Sequence, residues 1–201
     1  MKDAINILVC GVGGQGSVRA SHILAEAAVR AGLRARVGET FGAAQRGGAV
    51  ASHVRIGKNV NAPIISKDGA DVIVGLEPLE TIRNVVKFAS PDAIVIMEKR
   101  PIYPAEVNIG LAKYPSIDEI TEAIQKLVKK VIVLDATNIA INVGNLKTLN
   151  VVLLGALAAL DVLPYSKDIL LEAIKENVPP KTIEVNIKAF NAGFNAIKEG
   201  K

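Results

Sequence analysis

Apolar and polar residues along the chain separate into short continuous apolar runs and longer stretches with helical spacing. Ile7–Cys10, Val72–Val74, Ala93–Met97 and Val131–Leu134 are the runs. Each has the length and composition of a strand buried on both faces. Arg34–Val37 reads as a further strand. Val50–Ile56 alternates, with Val50, Ser52, Val54 and Ile56 on one face and His53 and Arg55 on the other. Gln15–Gly32 reads as a helix carrying Val18, His22, Ala25 and Val29 on one side. Glu77-Pro78 opens a second helix, with proline at its first turn and Leu79, Ile82 and Val86 on its apolar side. Ser116-x-x-Glu119 is a capping box that opens a third through Ile120, Ile124 and Leu127. Thr40–Ala49 and Asn59–Asp68 are expected as loops, the second with a short edge strand at Ile64–Ile65. Pro101 and Pro104 mark a connection.

After Val131–Leu134 the pattern predicts helices alone. Asn150–Leu163 is apolar around most of its circumference, which predicts packing on more than one side. Ser166 caps the next helix through Leu170 and Ile174. Pro179-Pro180 breaks the chain before a last amphipathic helix with Ile183, Ile187, Phe190, Phe194 and Ile197 at helical spacing. That stripe is expected to be core or subunit interface. Strands alternating with helices predict an α/β fold. The chain reads as a single domain over 1–201, with a core at 1–148 and a helical C-terminal extension at 149–201.

Composition narrows the class. A chain of 201 residues suits one domain with a sizeable core. Half of it is hydrophobic and only 3% aromatic, with no Trp, so the core must be mostly Val, Ile, Leu and Ala. The net charge of +4 is scattered, with no basic stripe and interleaved aromatics, so nucleic acid is not indicated. A single cysteine, Cys10, excludes an intrachain disulfide framework and favours a reducing cytoplasm. The N-terminus shows no signal-peptide pattern. Asp161 and Pro164 end the most apolar run well short of the ~20 residues a bilayer span needs. A soluble cytoplasmic protein, with no membrane partner, is expected.

Candidate chemistry concentrates in a glycine turn. Gly11, Gly13, Gly14 and Gly16 follow the first strand and precede the first helix, the context that gives a GxGxxG spacing its value. The arrangement predicts a Rossmann-like, doubly wound, mostly parallel sheet. The turn leaves free N–H groups at a helix N-terminus, where an anion is favoured. The alternative is that these glycines only close the turn. Glu39 lies roughly where a dinucleotide-binding fold carries its ribose-binding acid. Loops after parallel strands gather at the carboxyl edge of such a sheet. Gly11–Gly16, Gln45–Gly48, Gly75-Leu76-Glu77 and Asp135–Asn138 are therefore expected to line one crevice. Arg46 can offer a planar fork of donors to a carboxylate or phosphate, or can be an ordinary surface arginine. His53, Arg55, Asp135 and Asn138 are secondary candidates.

Several chemistries are excluded. With one Cys and two His (His22 and His53), the chain has no CxxC pair and cannot alone hold a cysteine-ligated iron–sulfur cluster. A zinc site of His and Cys is not expected either, and no metal ligand or catalytic residue is assigned. There is no GxSxG elbow and no P-loop. Cys10 reads as a small buried hydrophobe, and His22 as a packed or partly exposed helix residue.

The motifs together carry a resemblance. GVGGQG at Gly11–Gly16 and AQRGGAVASHVRIG at Ala44–Gly57 resemble the gamma-type subunits of the 2-oxoacid:ferredoxin oxidoreductases. So do GADVIVGLEPLET at Gly69–Thr81, DATNIA at Asp135–Ala140, NVVLLGALAAL at Asn150–Leu160 and VPPKTIEVN at Val178–Asn186. Within that family the chain is most similar to the small chains of two-chain enzymes acting on indolepyruvate and other aryl pyruvates. The resemblance implies oxidative decarboxylation of a 2-oxoacid with coenzyme A as co-substrate, giving an acyl-CoA, carbon dioxide and reduced ferredoxin. It implies thiamine diphosphate, magnesium and iron–sulfur clusters on a large partner subunit, and none bound by this chain alone. Ferredoxin is met through the complex, and an isolated chain can form a homodimer in the partner's place. Gly13, Gln15, Arg46 and Gly47 are then expected to face the partner or the coenzyme A side, together with Gly11, Gly14, Gly16, Gln45 and Gly48. One departure stands out: related chains often read EVHGM before QRGG, whereas here Phe41 replaces the histidine. The rival readings are a stand-alone NAD(P) or flavin oxidoreductase and a pure scaffold subunit. Adenylating enzymes and tubulin-like GTPases share such turns, but their zinc cysteines and second glycine loop are missing.

Overall fold

The computed structural model describes residues 4–42 and 47–199. Six strands form one mixed sheet in the order β2-β3-β1-β4-β5-β6. They are β1 (Ala4–Val12), β2 (Arg34–Phe41), β3 (Ala49–Gly57), β4 (Ala70–Gly75), β5 (Ala89–Glu98) and β6 (Lys130–Leu134). β1, β4, β5 and β6 run parallel, while β3 lies antiparallel between β1 and β2. The physical reason is chain length. Only residues 42–48 separate β2 from β3, and a parallel return needs a crossover of a dozen or more residues. The expected loop over Thr40–Ala49 is accordingly shorter, since Thr40 and Phe41 close β2 and Ala49 opens β3.

The helices are α1 (Ser17–Arg30), α2 (Pro78–Phe88), α3 (Ala105–Asn108), α4 (Ile117–Gln125), α5 (Ala136–Asn142), α6 (Leu149–Ala158), α7 (Lys167–Asn177) and α8 (Ile183–Lys198). They cover both faces of the sheet, as a doubly wound fold requires. On one face Ile7, Val9, Val54, Ile56, Val72 and Val74 meet α1, α5, α6, α7 and α8. On the other, Leu8, Cys10, Ile73, Val95 and Met97 meet α2 and α4. No helix among the described residues is long and apolar enough to cross a membrane.

Two local expectations fail. The side of α1 that faces the sheet carries Ala20, Ile23, Leu24, Ala27 and Ala28, while His22 is exposed and Val29 is 62% exposed. That stripe wins because it holds the two largest aliphatic side chains of the helix and alanines that let it approach the sheet closely. Residues 58–69 contain no strand at Ile64–Ile65. There Ile65 is buried, with its N–H donated to His53 Nδ1 at 3.3 Å. The segment passes beneath the start of β1, where Asn6 donates to the Gly69 carbonyl at 2.9 Å and accepts from Arg55 Nε at 2.9 Å. The expected caps are present: Ser116 and Glu119 form the capping box of α4, and Ser166 caps α7.

α6 is buried at every position, and it crosses α8 backbone to backbone. A Cβ at Gly155 would stand 2.0 Å from the Phe190 carbonyl oxygen, and one at Gly193 2.0 Å from the Val152 oxygen. Rigid backbone on both sides leaves no room to relax. Gly155→Ala is therefore expected to destabilise the chain by about 2–3 kcal/mol or more, read as a lower urea midpoint. An unchanged midpoint would mean that the crossing is looser than the geometry implies.

Candidate functional site

The carboxyl ends of the parallel strands open onto a cleft of about 1500 Å³. The chain leaves β1 toward β2 on one side of the sheet and enters β4 on the other, so the cleft sits at the topological switch point. One wall is the glycine turn with the first turn of α1. The facing wall is Glu98, Arg100, Pro101 and Ile102, and Thr137, Lys147 and Asn150 are also on the lining, as are His22 and Phe41.

The glycine turn is held from three directions. Gln15 Oε1 accepts the Val12 N–H at 2.7 Å, and its Nε2 donates to the Leu76 carbonyl at 2.7 Å. The Leu76 N–H returns to the Cys10 carbonyl at 2.8 Å. Gly13 donates to the Gly48 carbonyl at 2.8 Å and accepts from the Gly47 N–H at 3.4 Å, which joins the turn to the β2–β3 connection. Gly16 ends the turn at φ 86°, a conformation that favours glycine, and Asn150 Nδ2 donates to its carbonyl at 3.1 Å. A Cβ at Gly16 would lie 2.8 Å from that Nδ2. No side chain caps α1, so its first N–H groups face the cleft without a local acceptor.

The electrostatics of the cleft are one-sided. Arg19, Arg100 and Lys147 are exposed on its lining, with no ion-pair partner among the described residues. Glu98 is buried and accepts the Thr137 N–H at 2.9 Å and the Arg100 N–H at 2.8 Å. Burial pushes its carboxyl group above the ordinary glutamate range, against the pull of those two amides. Three cations beside a helix N-terminus suit a phosphate-rich or carboxylate ligand.

The remaining sequence candidates lie elsewhere or serve the fold. Gln45 and Arg46 lie outside the described residues. Gly11 is buried behind the turn, where a Cβ would meet Leu76 Cβ at 2.9 Å. His53 is buried on the opposite face of the sheet, edge-on to Phe88 at 5.0 Å between ring centroids. Arg55 is occupied by Asn6 and by the Ala62 carbonyl, at 2.9 and 3.0 Å. Asp135 caps α5, accepting from the Asn138 N–H at 3.1 Å and from Lys99 Nζ at 2.6 Å. Thr137 lines the cleft between Asp135 and Asn138, which do not. Glu39, the expected ribose acid, meets His22 Nε2 at 3.0 Å. Cys10 is buried in the core, which pushes its thiol pKa well up and makes it a poor ligand or nucleophile.

Glu98, Arg100, Lys147 and Asn150 were not among the sequence candidates. Glu98 had a signal, a charge directly after the apolar run Ala93–Met97, where the end of a buried strand meets the ligand edge. Asn150 had one too, as the polar residue opening an otherwise apolar helix.

A model of the pyruvate ferredoxin/flavodoxin oxidoreductase family matches residues 6–196. The chain is 43% identical over 197 residues to the indolepyruvate oxidoreductase subunit IorB of Archaeoglobus fulgidus, covering 98% of this chain and 97% of that one. It is 29% identical to the common gamma subunit of the pyruvate/ketoisovalerate oxidoreductases of Thermococcus kodakarensis, covering 95% and 96% of the two chains. Among solved structures, the gamma subunit of a keto/oxoacid ferredoxin oxidoreductase from Geobacter sulfurreducens superimposes with a TM-score of 0.71 at 25% identity. The overlap covers 98% of this chain and 97% of that one.

Two outcomes test the geometry. Gln15→Ala strands the Val12 N–H and the Leu76 carbonyl and is expected to cost about 1–3 kcal/mol of stability, measured by urea unfolding. Burial holds the His53 pKa below its ordinary value. As pH falls, the unfolded chain therefore binds a proton before the folded one does. The stability this provides is present above about pH 6.5 and is lost as pH falls toward the depressed folded value. Between pH 7.5 and 5.5 the midpoint of the wild type should fall more steeply than that of His53→Leu. Parallel slopes would show that His53 takes up its proton without hindrance.

Proposed function

Because the chain belongs to the pyruvate ferredoxin/flavodoxin oxidoreductase family and is the small, gamma-type subunit of a 2-oxoacid ferredoxin oxidoreductase, we propose that it serves the oxidation of aryl pyruvates, indolepyruvate among them, and that its basic cleft receives coenzyme A. The observation that carries the substrate class is the higher end-to-end identity to an indolepyruvate subunit than to a pyruvate/ketoisovalerate one. The complex converts a 2-oxoacid and coenzyme A to an acyl-CoA and carbon dioxide, and passes two electrons singly to ferredoxin.

The division of labour follows from donor chemistry. An iron–sulfur cluster needs several thiolates, and this chain holds one cysteine, buried on strand β1. Among the described residues no three His, Cys, Asp or Glu side chains are grouped to hold a metal. Clusters, magnesium and thiamine diphosphate are assigned to the larger partner, where thiamine diphosphate supplies the carbanion chemistry. The part left to this chain is binding. Arg19 in the first turn of α1, with Arg100 and Lys147 elsewhere on the same lining, offers charge-assisted hydrogen bonds to the phosphates of coenzyme A. Gly13, Gln15 and Gly47 belong to the same wall or its immediate support, and Arg46 is assigned to it from the sequence.

Co-expression with the large subunit tests the reading. A tagged chain is expected to co-purify with a brown partner that reduces ferredoxin with indolepyruvate and coenzyme A, and to be inactive alone. In that complex Arg19→Ala/Lys147→Ala should raise the KM for coenzyme A about tenfold or more, with the KM for indolepyruvate unchanged. A colourless lone chain that binds NAD would replace this reading with that of a free-standing dinucleotide oxidoreductase.

A further inference from the structure

Two buried carboxylates support the wall of the cleft that faces the glycine turn, Glu98 on its lining and Glu77 behind it. Glu98 and Glu77 are each 1% exposed. Each directs one oxygen to the first turn of a helix: Glu98 Oε2 accepts the Thr137 N–H of α5 at 2.9 Å, and Glu77 Oε2 accepts the Glu80 N–H of α2 at 2.8 Å. Each turns the other oxygen to the segment between β5 and α3. Glu98 Oε1 accepts the Arg100 N–H at 2.8 Å, and Glu77 Oε1 accepts the Ile102 N–H at 3.3 Å together with the Tyr114 hydroxyl. The residue between them, Pro101, has no N–H to offer. Every backbone donor from Arg100 to Ile102 therefore rests on a buried carboxylate.

An exposed connection does not need this. Water would satisfy both amides, and burying a carboxylate is costly unless its oxygens are well hydrogen-bonded. The carboxylates provide a fixed position instead. Arg100 and Ile102 both line the cleft, and the residue before them is held as well, with Lys99 donating its N–H to the Leu134 carbonyl at 3.0 Å. Through the peptide from Leu76 to Glu77, the same wall is joined to Gln15 and so to the glycine turn opposite.

We infer that Glu98 and Glu77 are positioning residues, which set the stretch from Arg100 to Ile102 at a fixed distance from the glycine turn so that the Arg100 guanidinium meets an anionic group of the ligand without reorganisation. The inference rests on the reading of the cleft as the coenzyme A side. Glu77 lies off the lining, and both oxygens of Glu98 are already taken by the Thr137 and Arg100 amides. Each acts through backbone that it holds, and preorganisation of this kind appears as tighter binding without new contacts.

The test uses the reconstituted complex with its large subunit. Arg100→Ala is expected to raise the KM for coenzyme A about tenfold, with kcat within twofold. Glu98→Gln keeps the shape but only one acceptor oxygen, and should raise the same KM about three- to fivefold. The double variant should be no worse than Arg100→Ala alone, because Glu98 acts through Arg100. Multiplying effects, or an unchanged KM in Glu98→Gln, would overturn the assignment. An Arg100→Ala complex with normal affinity would instead overturn the coenzyme A reading, and this inference with it. Hydrogen exchange of the complex provides a readout apart from activity. Glu98→Gln should accelerate exchange at Arg100 or Thr137, and Glu77→Gln at Ile102 or Glu80, with the α6–α8 crossing unaffected. Unaltered protection at all four amides would show that the carboxylates hold nothing in place. If Glu98→Gln fails to fold, Glu77→Gln carries the same kinetic cycle.

Discussion

The carboxamide of Gln15 joins the end of β1 to the end of β4, and the carboxyl edge of the sheet depends on that bridge. A glycine turn has no side chains of its own to define its shape, so its backbone polar groups must find fixed partners. Gln15 supplies an acceptor for Val12 and a donor for Leu76 from one side chain, which ties the ends of the two central strands to each other. Asn150 completes the arrangement by holding the Gly16 carbonyl from the buried helix α6. The turn is thus built by the core beneath it, and its open face is left to whatever enters the cleft.

The same requirement explains the buried charge around the cleft. Glu77 and Glu98 are costly in an apolar interior, yet each is matched by backbone N–H groups at a helix start and at the cleft wall. The cations Arg19, Arg100 and Lys147 lie on the cleft lining, exposed and without an ion-pair partner among the described residues. Negative groups are therefore used up inside the protein, and positive ones are left to the ligand. This asymmetry suits an anion, and the two acid–base side chains on the lining are already engaged, Glu98 by backbone amides and His22 by Glu39.

Packing on the far side of the sheet gives this site its rigid base. α6 is apolar all round because α1, α5, α7 and α8 enclose it, and its crossing with α8 is close enough for Gly155 and Gly193 to exclude any side chain. The site is thus backed by close-packed backbone with little room to relax.

Much of this was legible in the sequence, because it depends on local patterns. Apolar runs, the Ser116–Glu119 capping box, the glycine turn after β1 and α6, apolar apart from Asn150, each arise from residues near one another in the chain. The family resemblance was legible for the same reason, since its motifs are contiguous. Three things required the tertiary structure. The direction of β3 follows from how short the β2–β3 connection is once both strands are extended to their true ends. The buried side of α1 was decided by the fit of Ile23 and Leu24 against the sheet, where Val18 and Val29 offered an equally periodic stripe. The cleft pairs Glu98 with Thr137 and Asn150 with Gly16 across 39 and 134 residues. His53 and Arg55, close in sequence to the glycine-rich loop, instead point to the far face and the far end. Local spacing determines which elements form and what each can bury. Which polar groups share a site is a question of long-range hydrogen bonding, decided only when the backbone donors and acceptors of distant segments must satisfy one another.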